Sequence, residues 1–229
     1  MKPVPGREKP AISDWTRQPA VSMFPQGRSI MGKTRLEAFS DGVLAIIITI
    51  MVLELKEPIG HNLAALLPLA PVFMGYVLSF VMVAIYWNNH HHLLHVVTRI
   101  NVPTLWSNMH LLFWLSLVPF VTAWMSSSGF AAVPVALFGF VLLMAGVAYF
   151  ILAHVLMRHH GKESDLAKLL GRDFKGIASV VLYALGIGLA FLSPMLGFGI
   201  YVLVAVIWFI PDRRFAEVRP ATDKTGCAE

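Results

Sequence analysis

The sequence is poor in cysteine and in charge. Its single cysteine, Cys227, excludes a disulfide framework and any cysteine-based metal site. Charged residues make up only 14% of the 229, whereas globular domains carry about 25%, and hydrophobic residues reach 57%. The net charge of +5 would suggest nucleic acid for a soluble chain, but the positive-inside bias of membrane proteins explains it here. We therefore predict an all-α integral membrane protein in a lipid bilayer, with no nucleic-acid partner.

Apolar runs divide residues 33–211 into six predicted transmembrane helices, at about 35–55, 63–89, 103–125, 131–157, 174–192 and 195–210. Pro119 is expected to kink the third helix, and Pro194 to separate the last two. Residues 1–32 are rich in proline, lack the apolar core of a signal peptide and are predicted to form a disordered basic tail. Residues 212–229 form a second charged tail.

The basic residues indicate the orientation. They concentrate in the two tails, in the connection after helix 2 and in the loop after helix 4, whereas Lys56 is alone among the other connections. Both termini are therefore predicted to be cytoplasmic. The histidine-bearing segment 88–101 is expected to follow helix 2, and residues 163–170 could form a short amphipathic surface helix.

The first span carries an unusual charge. Asp41 lies within an apolar run, and an ionisable group inside a span predicts a functional site, although it could also stay hydrated among the headgroups. Four residues fall on one face of this helix, with Ser40 and Asp41 roughly 120–140° away; they are Ile46, Thr49, Ile50 and Leu53. Such an apolar face could line a pore or pack inside a bundle, and the residues alone leave both open.

Two motifs, on predicted helices 1 and 2, resemble those of a known family. They are Arg35-x-x-x-Phe39-Ser40-Asp41-Gly42, continuing into Ala45-Ile46-x-x-Thr49, and Tyr86-Trp87-x-x-His90-His91 at the end of helix 2. Together they resemble the endosomal/lysosomal potassium channel family (the transmembrane protein 175 family) and its bacterial homologues.

The resemblance implies a potassium-permeable cation channel that needs no cofactor and assembles as a homotetramer around helix 1. Ile46, Ile50 and Leu53 then match the apolar constrictions, and Thr49, with Ile46, matches the selectivity position. The sequence contains no Thr-Val-Gly-Tyr-Gly-like segment that could form a carbonyl filter, and no arginine-rich helix that could sense voltage. Selectivity would therefore come from narrow rings of side chains.

The resemblance also implies a network that holds helices 1, 2 and 3 together. Its predicted members are Arg35, Phe39, Ser40, Asp41, Trp87, His90, His91 and Asn108. His90 or His91 is expected to donate to Ser40 and Asp41, with Asn101, Trp106 and Asn108 also in range. Whether Arg35 belongs to the network or anchors the helix at the interface stays open.

Two other functions remain candidates. His91 and His95 lie one helical turn apart beside His90 and His92, so a metal-dependent membrane enzyme is conceivable, with Asp41 as a third ligand. A small secondary transporter is the other candidate, but the two halves share no motif and no charge is placed at mid-membrane. We predict a channel without a resident metal, in a bacterial or archaeal plasma membrane.

Overall fold

The computed structural model describes residues 32–95, 97, 100–160 and 174–209, excluding the side chains at 159, 160 and 174. Its helices are α1 (Lys33–Leu53), a 3-10 helix (Leu63–Leu69), α2 (Ala70–His95), α3 (Val102–Ser116), α4 (Val118–Ser127), α5 (Ala132–His160), α6 (Phe174–Leu192) and α7 (Pro194–Phe209). No strand occurs in these ranges. The predicted tails, apart from Gly32, and the predicted surface helix at 163–170 lie outside the described residues.

Five helical segments are long and apolar enough to cross a membrane: Lys33–Leu53, Leu63–His95, Val102–Ser127, Ala132–Arg158 and Lys175–Leu192. The shorter apolar helix α7 has 16 residues, which at about 1.5 Å per residue spans roughly 24 Å. All predicted spans are therefore helical and apolar. The status of α7 as a sixth span stays a prediction.

Prolines mark the breaks between helices. The α3 helix ends at Ser116, and α4 begins at Val118 with Pro119 in its first turn, so the third predicted span is interrupted beside the proline that was expected to kink it. A backbone N–H in the first turn of a helix has no intrahelical acceptor. A proline there therefore costs the helix no hydrogen bond. Pro194 likewise opens α7 directly after α6, as predicted.

Several predicted helix ends differ from the observed ones. The first helix ends at Leu53, two residues before its predicted end, and the third and fourth spans run to Ser127 and His160, two and three residues past theirs. The second continues as an α-helix to His95 instead of stopping at Asn89, so the histidines form its last turns and not a connection. The prediction placed the end of the helix at the end of the apolar run. Backbone hydrogen bonding, however, continues through polar residues outside the hydrocarbon core.

The helices alternate in direction, which brings particular ends together. The Lys33 ammonium at the start of α1 donates to the His95 carbonyl at the end of α2 (2.9 Å). The Trp208 indole at the end of α7 donates to Ser179 near the start of α6 (2.7 Å). A cavity lined by Asn89, Gly176 and Trp208 joins the last turns of α2 and α7 to the first of α6. The start of α1 and the end of α7 therefore lie at the same end of the bundle, called here the N-terminal end.

The contact between α5, α6 and α7 is built on one aromatic side chain. Tyr201 of α7 is fully buried, and its ring lies against Gly139 of α5 and Gly186 of α6. A Cβ at either glycine would overlap this ring, so the two glycines create the space that the tyrosine fills. Its hydroxyl is buried without a hydrogen-bond partner among the described residues.

We predict opposite effects from two substitutions at this contact. Tyr201→Phe removes only an unpaired buried hydroxyl, so the free energy of unfolding should change by less than about 0.5 kcal/mol or increase. Gly139→Val forces the ring out of its space and should destabilise by about 1–3 kcal/mol. Thermal unfolding of the purified protein in detergent measures both. A large loss of stability in Tyr201→Phe would show that the hydroxyl has a partner.

Candidate functional site

The first helix has two faces of different chemistry. One face, formed by Leu36, Ser40, Leu44, Ile47 and Met51, is buried against α2, α3 and α4. The other face carries the predicted pore residues, and it remains exposed in a single subunit. We call Ile46, Thr49, Ile50 and Leu53 the exposed stripe.

The exposed stripe is apolar apart from one hydroxyl. Ile46, Ile50 and Leu53 are 58%, 44% and 79% exposed. The Thr49 hydroxyl donates to the carbonyl of Ile46 (2.9 Å), so its proton is used within the helix. The oxygen lone pairs remain available to a group that approaches this face. The structure thus places all four residues where they could contact a lumen, a lipid or a neighbouring subunit.

A directed chain of hydrogen bonds joins α2, α3 and α1. His90 Nε2 lies 2.7 Å from Asn108 Oδ1, and Asn108 Nδ2 donates to Ser40 Oγ (3.0 Å). Ser40 then donates to the carbonyl of Leu36 (2.9 Å). Because the amide oxygen of Asn108 can only accept, the ring nitrogen of His90 must carry the proton. Ser40 and Asn108 have no exposed surface, and His90 is 2% exposed. We call these three residues the buried triad.

A second contact joins α1 to α2 nearer the surface. The Trp87 indole Nε1 donates to Asp41 Oδ1 (2.9 Å), and Asp41 is exposed in the single subunit. The donor to Asp41 is therefore Trp87. The prediction that His90 or His91 donates to Asp41 is wrong. His91 instead stacks on Trp87, with ring centroids 5.8 Å apart and planes 23° from parallel. The carboxylate is thus held by a neutral donor at the edge of the helix pair.

The remaining predicted network members lie elsewhere. Arg35 and Phe39 are exposed, and their spacing places them on the face of α1 that carries the exposed stripe. The Asn101 side chain accepts from Thr104 and caps α3, so it does not reach α1. Trp106 is 71% exposed. The structure thus brings together six of the eight predicted members, in two hydrogen-bonded groups and one ring stack.

Sequence reasoning missed a second buried polar contact. Ser79 of α2 and Thr122 of α4 have their hydroxyl oxygens 2.6 Å apart, and Thr122 also donates to the carbonyl of Val118 (2.7 Å). Ser79 must therefore donate to Thr122. A single hydroxyl residue within an apolar run indicates that its side chain needs a partner. The sequence does not show that Ser79 and Thr122 are partners of each other.

The histidines at the end of α2 bear on the alternative of a metal-dependent enzyme. The ring centroids of His91 and His95 are 6.3 Å apart, and those of His91 and His92 are 5.8 Å apart. Within the described ranges, no three histidine, cysteine or acidic side chains converge so that they could share a metal ion. Asp41, the third ligand considered, accepts from Trp87.

The chain is similar in sequence to known proteins. Residues 35–119 match the family described as the endosomal/lysosomal potassium channel TMEM175. A protein of Chryseobacterium sp. (strain P1-3), named as a potassium channel, is 53% identical over 184 residues, which cover 80% of this chain and 96% of that protein. The chain belongs to the TMEM175 family. The resemblance carried by the Phe-Ser-Asp and Tyr-Trp motifs is thereby confirmed.

A solved structure extends the TMEM175 assignment to the fold. The chain superposes on the crystal structure of a lysosomal potassium-selective channel TMEM175 homolog from Chamaesiphon minutus with a TM-score of 0.67 at 28% identity, over 77% of this chain and 96% of that chain. The human protein named endosomal/lysosomal proton channel TMEM175 is 39% identical over 79 residues, 29% of this chain and 16% of that protein. The all-helical membrane architecture of this TMEM175 member is therefore shared with a solved relative.

Proposed function

We propose that this chain is one subunit of a potassium-permeable cation channel whose pore is formed by α1 of a homotetramer. The observation that carries the proposal is the exposed stripe of α1. The opposite face of α1 is buried against three neighbouring helices. The relatives named as potassium channels support this function over a metal-dependent membrane enzyme or a secondary transporter.

Oligomerisation follows from the geometry of one subunit. Each subunit contributes a single helix with this stripe, and one helix cannot enclose a pore. Closed rotational symmetry is the usual arrangement of identical membrane subunits, and four copies of α1 surround a narrow axis. We therefore propose the homotetramer, with the exposed stripe facing the axis.

The stripe supplies a selectivity mechanism without backbone carbonyls. Rings of Ile46, Ile50 and Leu53 form hydrophobic constrictions that water leaves easily. Between the first two rings, the four Thr49 hydroxyls would offer oxygen lone pairs to a passing cation, since each hydroxyl proton is held by the Ile46 carbonyl. A weakly hydrated cation such as potassium exchanges its water for these oxygens more readily than sodium does. Ile46 and Thr49 together would set the selectivity.

The charges of the described residues support a cytoplasmic N-terminal end. Lys33, Arg35, Arg158 and Lys175 lie at this end of the bundle, whereas Lys56 lies at the other. Helix α7 returns antiparallel along α6, from Gly197 beside Gly186 to Trp208 beside Ser179. We propose that α7 is the sixth span, with both termini cytoplasmic. Slight thinning of the bilayer would accommodate its length. The membrane is proposed to be a plasma membrane.

Ion flux from proteoliposomes tests the function. Purified protein should release potassium from loaded vesicles faster than sodium and much faster than chloride, with valinomycin as the control for total potassium content. A proton-sensitive dye should be measured in parallel, because the human relative is named as a proton channel. Cation flux no higher than in protein-free vesicles, from a folded oligomer, would reject the proposal.

Asp41→Ala is expected to lower the yield of assembled oligomer several-fold. The change removes the acceptor for the Trp87 indole and so loosens α1 from α2. Asp41→Asn is the matched control, since its amide oxygen can still accept from Trp87 and should preserve assembly. Size-exclusion chromatography with light scattering measures the oligomer fraction. A normal oligomer fraction in Asp41→Ala would show that Asp41 is not required for assembly.

A further inference from the structure

A cavity of about 310 Å³ lies between α2 and α6, away from the exposed stripe. Helix α6 packs mainly on α5 and α7, which form the side walls of the cavity. At its deep end the Tyr183 hydroxyl reaches across to the sulfur of Met82 (3.7 Å). The volume falls in the lower range of small-ligand sites in proteins.

The polar groups in the cavity wall are directed into the protein. The Tyr86 hydroxyl donates to the Leu142 carbonyl (3.3 Å), and the Tyr149 hydroxyl donates to the Asn89 carbonyl (3.3 Å). Ser179 accepts from the Trp208 indole (2.7 Å). The tyrosine hydroxyls are thus engaged by backbone carbonyls of the protein. Such a lining suits an apolar chain and offers little to a polar ligand.

The cavity opens toward the lipid at the N-terminal end of the bundle. Two residues of its lining on α6, Ile177 and Val181, are 61% and 52% exposed. Gly176 and Trp208, which also line it, belong to the first turn of α6 and the last turn of α7. A lipid chain in this leaflet could therefore enter from the side, with its headgroup at the membrane surface.

Positive charge lies beside this opening. Phe150 lines the cavity, and His154 and Arg158 follow it at successive turns on the same side of α5. The rings of Phe150 and His154 are in contact, with centroids 3.8 Å apart, and Arg158 is exposed. Lys175 directly precedes Gly176 at the start of α6. Two basic residues thus lie at the helix ends that border this opening, which favours an anionic headgroup over a zwitterionic one.

We propose that the cavity between α2 and α6 binds an acyl chain of an anionic phospholipid, with the phosphate near Arg158 and Lys175. The chain fills the space between Met82 and Trp208, and the aromatic rings of Tyr86 and Tyr149 contact it. This site is distinct from the exposed stripe, and its test does not depend on ion conduction.

Photo-cross-linking tests the site directly. The full chain is reconstituted in phosphatidylcholine vesicles that contain a little phosphatidylglycerol carrying a diazirine near the end of one acyl chain. After irradiation and proteolysis, mass spectrometry locates the adducts. We expect them to concentrate in residues 82–89, 146–150 and 176–183. Excess unlabelled phosphatidylglycerol should compete, and excess phosphatidylcholine should compete much less.

A pair of glycine substitutions provides the decisive comparison. A Cβ at Gly146 meets only the Tyr86 hydroxyl, at an ordinary contact distance of 3.6 Å, and Gly146 lines the cavity, so we expect the side chain of Gly146→Leu to extend into it. Adducts in the three segments should then fall by about tenfold, the loss expected when roughly two buried methylene groups are displaced. Gly199→Leu is the control, since a Cβ there meets nothing within 4 Å. It should leave the adducts unchanged.

The headgroup is tested separately. Arg158→Gln should reduce the advantage of phosphatidylglycerol over phosphatidylcholine in the competition. Equal competition by both lipids in the unmodified protein would overturn the anionic preference. Adducts spread over all lipid-facing helices, or the same adducts in Gly146→Leu at an unchanged melting temperature, would overturn the cavity site itself.

Discussion

Ile46→Asn should raise sodium flux by about tenfold or more and raise potassium flux less, so that selectivity falls. Ile46 is 58% exposed on α1, and in the proposed tetramer its four copies form an apolar ring. Four amides in that ring would hold water across the constriction and offer oxygens to sodium. A tenfold rise requires that the barrier fall by about 1.4 kcal/mol, which is less than one hydrogen bond to a charged group contributes.

The measurement is sodium and potassium flux from the same proteoliposome preparation. Val52→Asn is the matched control, because Val52 is a β-branched residue of α1 that is 44% exposed and lies about 120° around the helix from Ile46. It should leave the sodium flux unchanged. An equal rise in sodium flux in both variants would indicate a non-specific leak of the vesicles and not a change in the pore. An unchanged flux in Ile46→Asn would remove this residue from the pore lining.

The sequence predicted the faces of α1 well because helical periodicity is a local property. Spacing alone placed Ile46 and Leu53 on one side and Ser40 on another, and the structure buries Ser40 and exposes the other two. Periodicity cannot say what an exposed apolar face contacts, since lipid, lumen and a neighbouring helix all accept isoleucine. The proposed pore therefore depends on the family, to which the motifs pointed, as well as on the exposed stripe.

The partners of the polar side chains were predicted less well, because they depend on helix register. Asp41 and Trp87 are 46 residues apart, and a shift of one residue in α2 would bring a different side chain to the carboxylate. Asn108 was one candidate donor among several, and only packing selects it for Ser40. The end of α2 was misplaced because the apolar run, and not the hydrogen-bond ladder, defined the prediction.

The buried triad explains why α1 is held in one rotation. Asn108 is its central member, since it accepts from His90 and donates to Ser40. Asn108→Ala would leave both neighbours without their bond across helices, in a place that water does not reach. We expect the free energy of unfolding to fall by about 1–3 kcal/mol, since hydrogen bonds in membranes average about 0.6 kcal/mol but unpaired buried groups cost more.

Asn88→Ala is the control for this change, because Asn88 is an exposed asparagine of α2, two residues before His90. Thermal unfolding in detergent should show a lower midpoint for Asn108→Ala and an unchanged one for Asn88→Ala. Ser40→Ala combined with Asn108→Ala should cost less than the sum of the two single changes, since the same hydrogen bond is lost in each. Strictly additive losses would show that Asn108 stabilises α3 independently of α1. The exposed stripe would then owe its orientation to apolar packing and to the Trp87–Asp41 hydrogen bond.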